Sequence, residues 1–106
     1  MDKDLSYVLK NISGIWYNND YFFDFFSLEG KESDIIAFTN RKEFPKFGKF
    51  GKFWIRKEFD SYILQIIIFY GENPINQMVF KIEEIDGTIG RMCLSGNEML
   101  SLAKVV

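Results

Sequence analysis

Apolar residues recur along this chain at two spacings. Leu5, Val8, Leu9 and Ile12 fall on one helical face, so the spacing predicts a short helix over Asp2–Asn11. Asp2 or Asp4 would lie at the positive end of its dipole, and Ser13-Gly14 would end it. From Ile15 onward the period changes to two, the period of a strand. Strands are expected at Ile15–Tyr17, Tyr21–Leu28, Asp34–Thr39, Phe53–Phe59, Tyr62–Tyr70, Gln77–Ile85, Thr88–Leu94 and Glu98–Val105. The turn signals between them are Asn18-Asn19-Asp20, Glu29-Gly30-Lys31, Asp60-Ser61, Gly71–Asn76 with Pro74, Asp86-Gly87 and Ser95-Gly96-Asn97.

The pair Phe53–Phe59 and Tyr62–Tyr70 organises the rest, because its second strand is the most apolar stretch in the chain. Alternation places Phe53, Ile55, Lys57 and Phe59 on one face of the first strand. It places Tyr62, Leu64, Ile66, Ile68 and Tyr70 on one face of the second. Connections are hairpin-sized, which favours a meander, and closing a meander removes its exposed edges. The expectation is an all-β fold: an eight-stranded antiparallel meander barrel with a short N-terminal helix capping one end. The length of 106 residues suits one domain spanning 1–106, since two halves would each be too small to hold a core.

Gly14-Ile15-Trp16, entering the first strand directly after the helix, resembles the G-x-W of the calycin group, the lipocalins and small bacterial lipocalin-like domains. The resemblance implies a barrel whose base is closed by Trp16, with a basic residue packed across the indole. Lys104 is the positional candidate, and Arg91 on the preceding strand is the other. It also implies an apolar small molecule as ligand. If the strands close, Phe23, Phe25, Tyr62, Leu64, Ile66, Ile68, Phe80 and Ile82 line the interior, where they either surround that ligand or fill the space themselves.

Composition narrows the chemistry. The chain has no His, which removes the commonest general base and metal ligand. Leu94-Ser95-Gly96 lacks the first glycine of a nucleophile elbow, and Glu83 and Glu84 would point to opposite faces of a strand. No catalytic residue, metal site or cofactor is expected, and the protein reads as a non-enzyme. The one cysteine, Cys93, precludes an internal disulfide and reads as an inert thiol in an apolar strand. With the acidic start Met1–Asp4, it suits a reducing, cytoplasmic setting. The longest apolar run, Ile66–Tyr70, is too short to cross a bilayer, so no membrane is expected as a partner.

Charge singles out one segment. Arg41–Lys57 holds seven basic residues and one acid, Glu43, a local +6 in a chain whose total is −2. Aromatic rings interleave with the cations. Three readings stay open. The rings are core and the lysines a solvated face. Alternatively, Arg41, Lys42, Phe44, Lys46, Phe47, Lys49, Phe50 and Lys52 dock an acidic protein, in the manner of an inhibitor or immunity-type partner. Third, the segment binds single-stranded nucleic acid, which the overall negative charge disfavours.

Overall fold

The computed structural model describes residues 4–26, 34–40 and 49–105, with the backbone alone at 34–40, Lys49 and Tyr70. Among the described residues one helix precedes eight strands: α1 (Leu5–Ile12), β1 (Gly14–Tyr17), β2 (Tyr21–Phe26), β3 (Asp34–Asn40), β4 (Lys49–Glu58), β5 (Ser61–Tyr70), β6 (Asn73–Asp86), β7 (Arg91–Ser95) and β8 (Met99–Lys104). Asp4 caps the helix: its Oδ1 accepts the Tyr7 backbone N–H at 2.8 Å. Val8 and Ile12 turn into the core, while Leu5 and Leu9 remain exposed.

Each strand pairs antiparallel with the next, and the sheet curls so that β8 returns beside β1. That seam is short. It consists of Trp16 opposite Lys104 and Tyr17 opposite Ala103, with the Val105 N–H donating to the Ile15 carbonyl at 2.8 Å. Beyond Tyr17 the chain leaves the ladder in the Asn18–Asp20 turn, so Met99–Leu102 of β8 extend past the seam. The β4–β5 ladder, in contrast, runs from Phe50 opposite Phe69 to Glu58 opposite Ser61. The expected closed eight-stranded barrel is therefore met in a coarser form, a curled antiparallel sheet with one short helix, tied at one narrow place. Among the described residues no helix is long and apolar enough to cross a membrane.

The inner face of the curl is one apolar cluster. Trp16, Phe23, Phe25, Leu64, Ile66, Met92 and Leu94 have no exposed surface. The rings pack edge and face: Phe23 stacks on Phe25 at 5.6 Å, and Phe53 meets Phe25 edge-on at 5.0 Å. α1 closes one end of the curl. The Trp16 indole N–H donates to the Ile12 carbonyl, and Asn11 Oδ1 accepts the Gly87 N–H from the β6–β7 turn, both at 2.8 Å.

Several boundaries differ from the sequence expectation, each for a physical reason. The β4–β5 turn is Phe59-Asp60, not Asp60-Ser61. Phe59 takes φ 54° and is 99% exposed, so it leaves the inner face that alternation gave it. β4 begins at Lys49, ahead of the expected start at Phe53. β6 begins at Asn73 and includes Pro74, which the sequence placed in a loop. Pro74 is tolerated because it lies opposite Phe69, where the register shifts after Ile68. A second shift between Ile82 and Glu84 inserts one residue into β6. Glu83 and Glu84 are consequently both exposed, instead of pointing to opposite faces, and Ile85 turns inward.

Candidate functional site: a lateral cleft beside the longest strand

β6 is much longer than its neighbour β7. The ladder between them starts at Lys81 opposite Ser95, so Asn76–Phe80 project beyond β7. The chain turns from β7 to β8 alongside this projection, at residues 96–98. A cleft of about 300 Å³ lies between the projecting part of β6, that turn and Tyr21 at the start of β2. The volume is at the small end of the range for ligand pockets.

The local sequence builds each wall. Phe80 is 6% exposed and belongs to the core, yet it also lines the cleft. Met78 and Tyr21 are half-buried and pack against the same core. Asn76, opposite the buried Ile68, is on the inner-face register but exposed. The turn is held close to β6 by Gly96. A Cβ there would fall 2.8 Å from the Val79 carbonyl oxygen and 3.0 Å from Phe80 Cδ1. The Gly96 N–H also donates to the Glu98 carbonyl at 3.1 Å, which folds the turn back on itself. Across the cleft, Tyr21 Oη donates to Glu98 Oε1 at 3.0 Å. The Asn18 side chain braces the approach to Tyr21, accepting the backbone N–H of Asp20 at 2.8 Å and of Tyr21 at 2.7 Å. Among the described residues the lining thus combines the aromatic Tyr21 and Phe80 and the thioether of Met78 with the amides of Asn76, Gln77 and Asn97 and the carboxylate of Glu98.

Of the eight residues expected to line the interior, all belong to the buried cluster: Phe23, Phe25, Tyr62, Leu64, Ile66, Ile68, Phe80 and Ile82. Only Phe80 also borders the cleft. Phe23, Phe25, Leu64 and Ile66 touch no space that a water molecule could enter. Sequence reasoning missed Tyr21, Asn76, Met78, Asn97 and Glu98 as a group, because they meet only through the length difference between β6 and β7.

Among the residues expected to dock a partner, Arg41, Lys42, Phe44, Lys46 and Phe47 lie outside the described residues, as does the side chain of Lys49. Phe50 is 64% exposed and stands opposite Phe69. With Gly51, Lys52, Gly71 and Glu72 these two rings border an open groove of about 490 Å³. On the β6–β7 ladder, Ser95 Oγ donates to Glu83 Oε1 at 2.6 Å and Lys81 Nζ lies 3.7 Å from the same oxygen. The serine hydrogen bond, aided by the lysine charge, holds the Glu83 carboxyl below the usual glutamate range. Among the described residues no group of three or more Cys, Asp or Glu is placed to hold a metal ion.

Comparison with protein-family models, with curated proteins and with solved structures finds no match for this chain.

Proposed function

We propose that this chain is a small, non-enzymatic binding protein of lipocalin-like build that takes an apolar small molecule into the lateral cleft. The observation that carries this reading is the position of Phe80. It belongs to the expected interior set and to the packed core, and among the described residues it also lines the cleft. Deeper in the curl the side chains fill the space, so the ligand rests on the core and does not enter it. The lipocalin-like reading draws support from the Lys104 ammonium, which stands over the Trp16 ring where the G-x-W resemblance leads one to expect a basic residue. A cytoplasmic setting belongs to the same proposal and rests on the single cysteine.

The test uses the neutral apolar dye N-phenyl-1-naphthylamine. Saturable binding of one dye per chain is expected, and Asn76→Trp, which fills the cleft from an exposed position, abolishes it without lowering stability. Unsaturable binding, or equal binding by the filled variant, contradicts the proposal.

A second reading is favoured by Phe50. An aromatic ring so exposed beside Lys52 and a groove suits an anchor for an acidic protein partner. Under that reading, Phe50→Ala with Lys52→Glu loses a partner in a pull-down that the native chain retains.

A further inference from the structure

The seam leaves one ladder position unfilled. The Val105 N–H donates to the Ile15 carbonyl of β1, while the Lys104 N–H donates the other way, to the Gly90 carbonyl. Backbone groups alternate along a strand, so Ala103 and Ser101 also direct their N–H and C=O toward the β1 side. Ala103 meets Tyr17 there, and the ladder ends at that pair. Among the described residues the Ser101 N–H and C=O have no hydrogen-bond partner. They face a groove of about 380 Å³ that Ser101 shares with Tyr17, the Asn18-Asn19 turn and Arg91. This groove has no lining residue in common with the lateral cleft. We infer that it binds the carboxylate end of an N-acylated amino acid, whether free or at the end of a peptide.

Three features select that group. An extended residue beside Ser101 exchanges two bonds with it, as one more rung of the ladder: its N–H donates to the Ser101 carbonyl, and one of its oxygens accepts the Ser101 N–H. Arg91 supplies the charge. It is exposed, borders the groove and makes no ion pair among the described residues. Its register partner Asp86 is engaged elsewhere, with Oδ1 accepting the Thr88 and Ile89 N–H groups at 2.9 and 3.2 Å. A guanidinium grips a carboxylate through two parallel N–H bonds, which a neutral amide cannot match. Finally, Tyr17, Ala103 and Arg91 stand abreast as register partners, and all three are exposed. The small Ala103 leaves room between the phenol ring and the guanidinium, so an apolar ligand side chain can lie against the ring.

The experiment titrates the ¹⁵N-labelled protein at low salt with N-acetylphenylalanine, with its neutral amide and with 3-phenylpropanoate, which lacks the N–H. Binding is read from the amide shifts of Tyr17, Ser101, Leu102 and Ala103. N-acetylphenylalanine is expected to bind about ten-fold more tightly than either of the others. Arg91→Gln is expected to bring the acid-to-amide ratio to about one. Asn76→Trp, in the lateral cleft, keeps the native ratio, so the two sites are tested apart. Acetyl-Ala-Ala-Phe binding more tightly than N-acetylphenylalanine assigns the groove to peptide ends, and equal or weaker binding assigns it to free acyl amino acids. Equal affinity for acid and amide in the native protein overturns the inference. A preference that survives Arg91→Gln overturns it too, as does the failure of all these probes to move the Ser101 amide.

Discussion

The ammonium of Lys104 stands 5.7 Å from the centre of the Trp16 ring, and its Cε lies 2.8 Å from where a Cβ on Gly14 would be. One lysine stem thus covers both the first and the last residue of the Gly14-Ile15-Trp16 turn into β1. It does so from β8, directly across the seam, where Trp16 and Lys104 are register partners. The seam is only a few residues long, so this contact holds a large share of what ties the sheet's two ends together. Arg91, the other basic residue considered for the role, is exposed and pairs with Asp86 and Ala103 in register.

Removing that cover weakens the seam. Lys104→Ala loses the cation–ring attraction and the packing of the stem, and is expected to cost about 1–2 kcal/mol. Gly14→Ala costs about 1–3 kcal/mol, because φ 122° strains any residue with a Cβ and the added methyl meets the lysine. The double variant is less destabilised than the sum, since the clash goes with the lysine. Urea unfolding of the four proteins checks the coupling, and strict additivity would count against it.

Ile66 tests whether the inner face is filled. It has no exposed surface and lies opposite Phe53 and Met78 on the neighbouring strands. Ile66→Trp forces an indole into a packed layer and is expected to destabilise by about 1–3 kcal/mol or more. A hollow interior would accept the ring at little cost. Chemical denaturation separates the two outcomes.

Phe59 is a local misfit in an otherwise consistent hairpin. Of the two turn residues only Phe59 has positive φ, the arrangement of a type II′ turn, whose first position favours glycine. Its ring is exposed and holds nothing in place. Phe59→Gly is expected to stabilise the fold by about 1 kcal/mol, seen as a higher melting temperature. An unchanged or lower melting temperature contradicts this.

The carboxyl of Glu83 provides a pH signature. Its folded-state pKa lies below its unfolded value because the Ser95 hydroxyl bonds the ionised form, with Lys81 adding its charge. Such a group stabilises the fold above its unfolded pKa and loses that contribution as the pH falls through the folded pKa. Ser95→Ala should therefore raise the Glu83 pKa toward the ordinary glutamate value, as followed by carbon-detected NMR titration. A carboxyl that titrates unchanged in the variant would show that the serine is not the cause.

The inner face was legible in the sequence wherever alternation ran unbroken. Tyr62, Leu64, Ile66 and Ile68 on β5, and Met78, Phe80 and Ile82 on β6, each keep strict period two from turn to turn, and burial follows the pattern. Legibility ended where one residue was added or a turn moved. The extra residue at Glu83 reverses the parity after Ile82, and only the register against Cys93 and Met92 reveals it. Phe59 reads as a core ring because its hydrophobicity outweighs any local turn signal. The cleft was illegible for a different reason. Pro74 made the start of β6 look like a loop, which hid how far the strand projects past β7. With the projection hidden, nothing in the sequence joins Tyr21, Asn76 and Glu98.

Mapping where a neutral apolar probe binds decides whether a ligand sits in the cleft. Titration of the ¹⁵N-labelled protein with 4-phenylbutanol should shift the amides of Tyr21, Asn76, Met78, Phe80 and residues 96–98, saturably and with one midpoint. The amides of Trp16, Leu64 and Met92, in the filled part of the curl, should stay in place. Shifts centred on those buried residues, or no saturable shift anywhere, would contradict a ligand seated in the cleft.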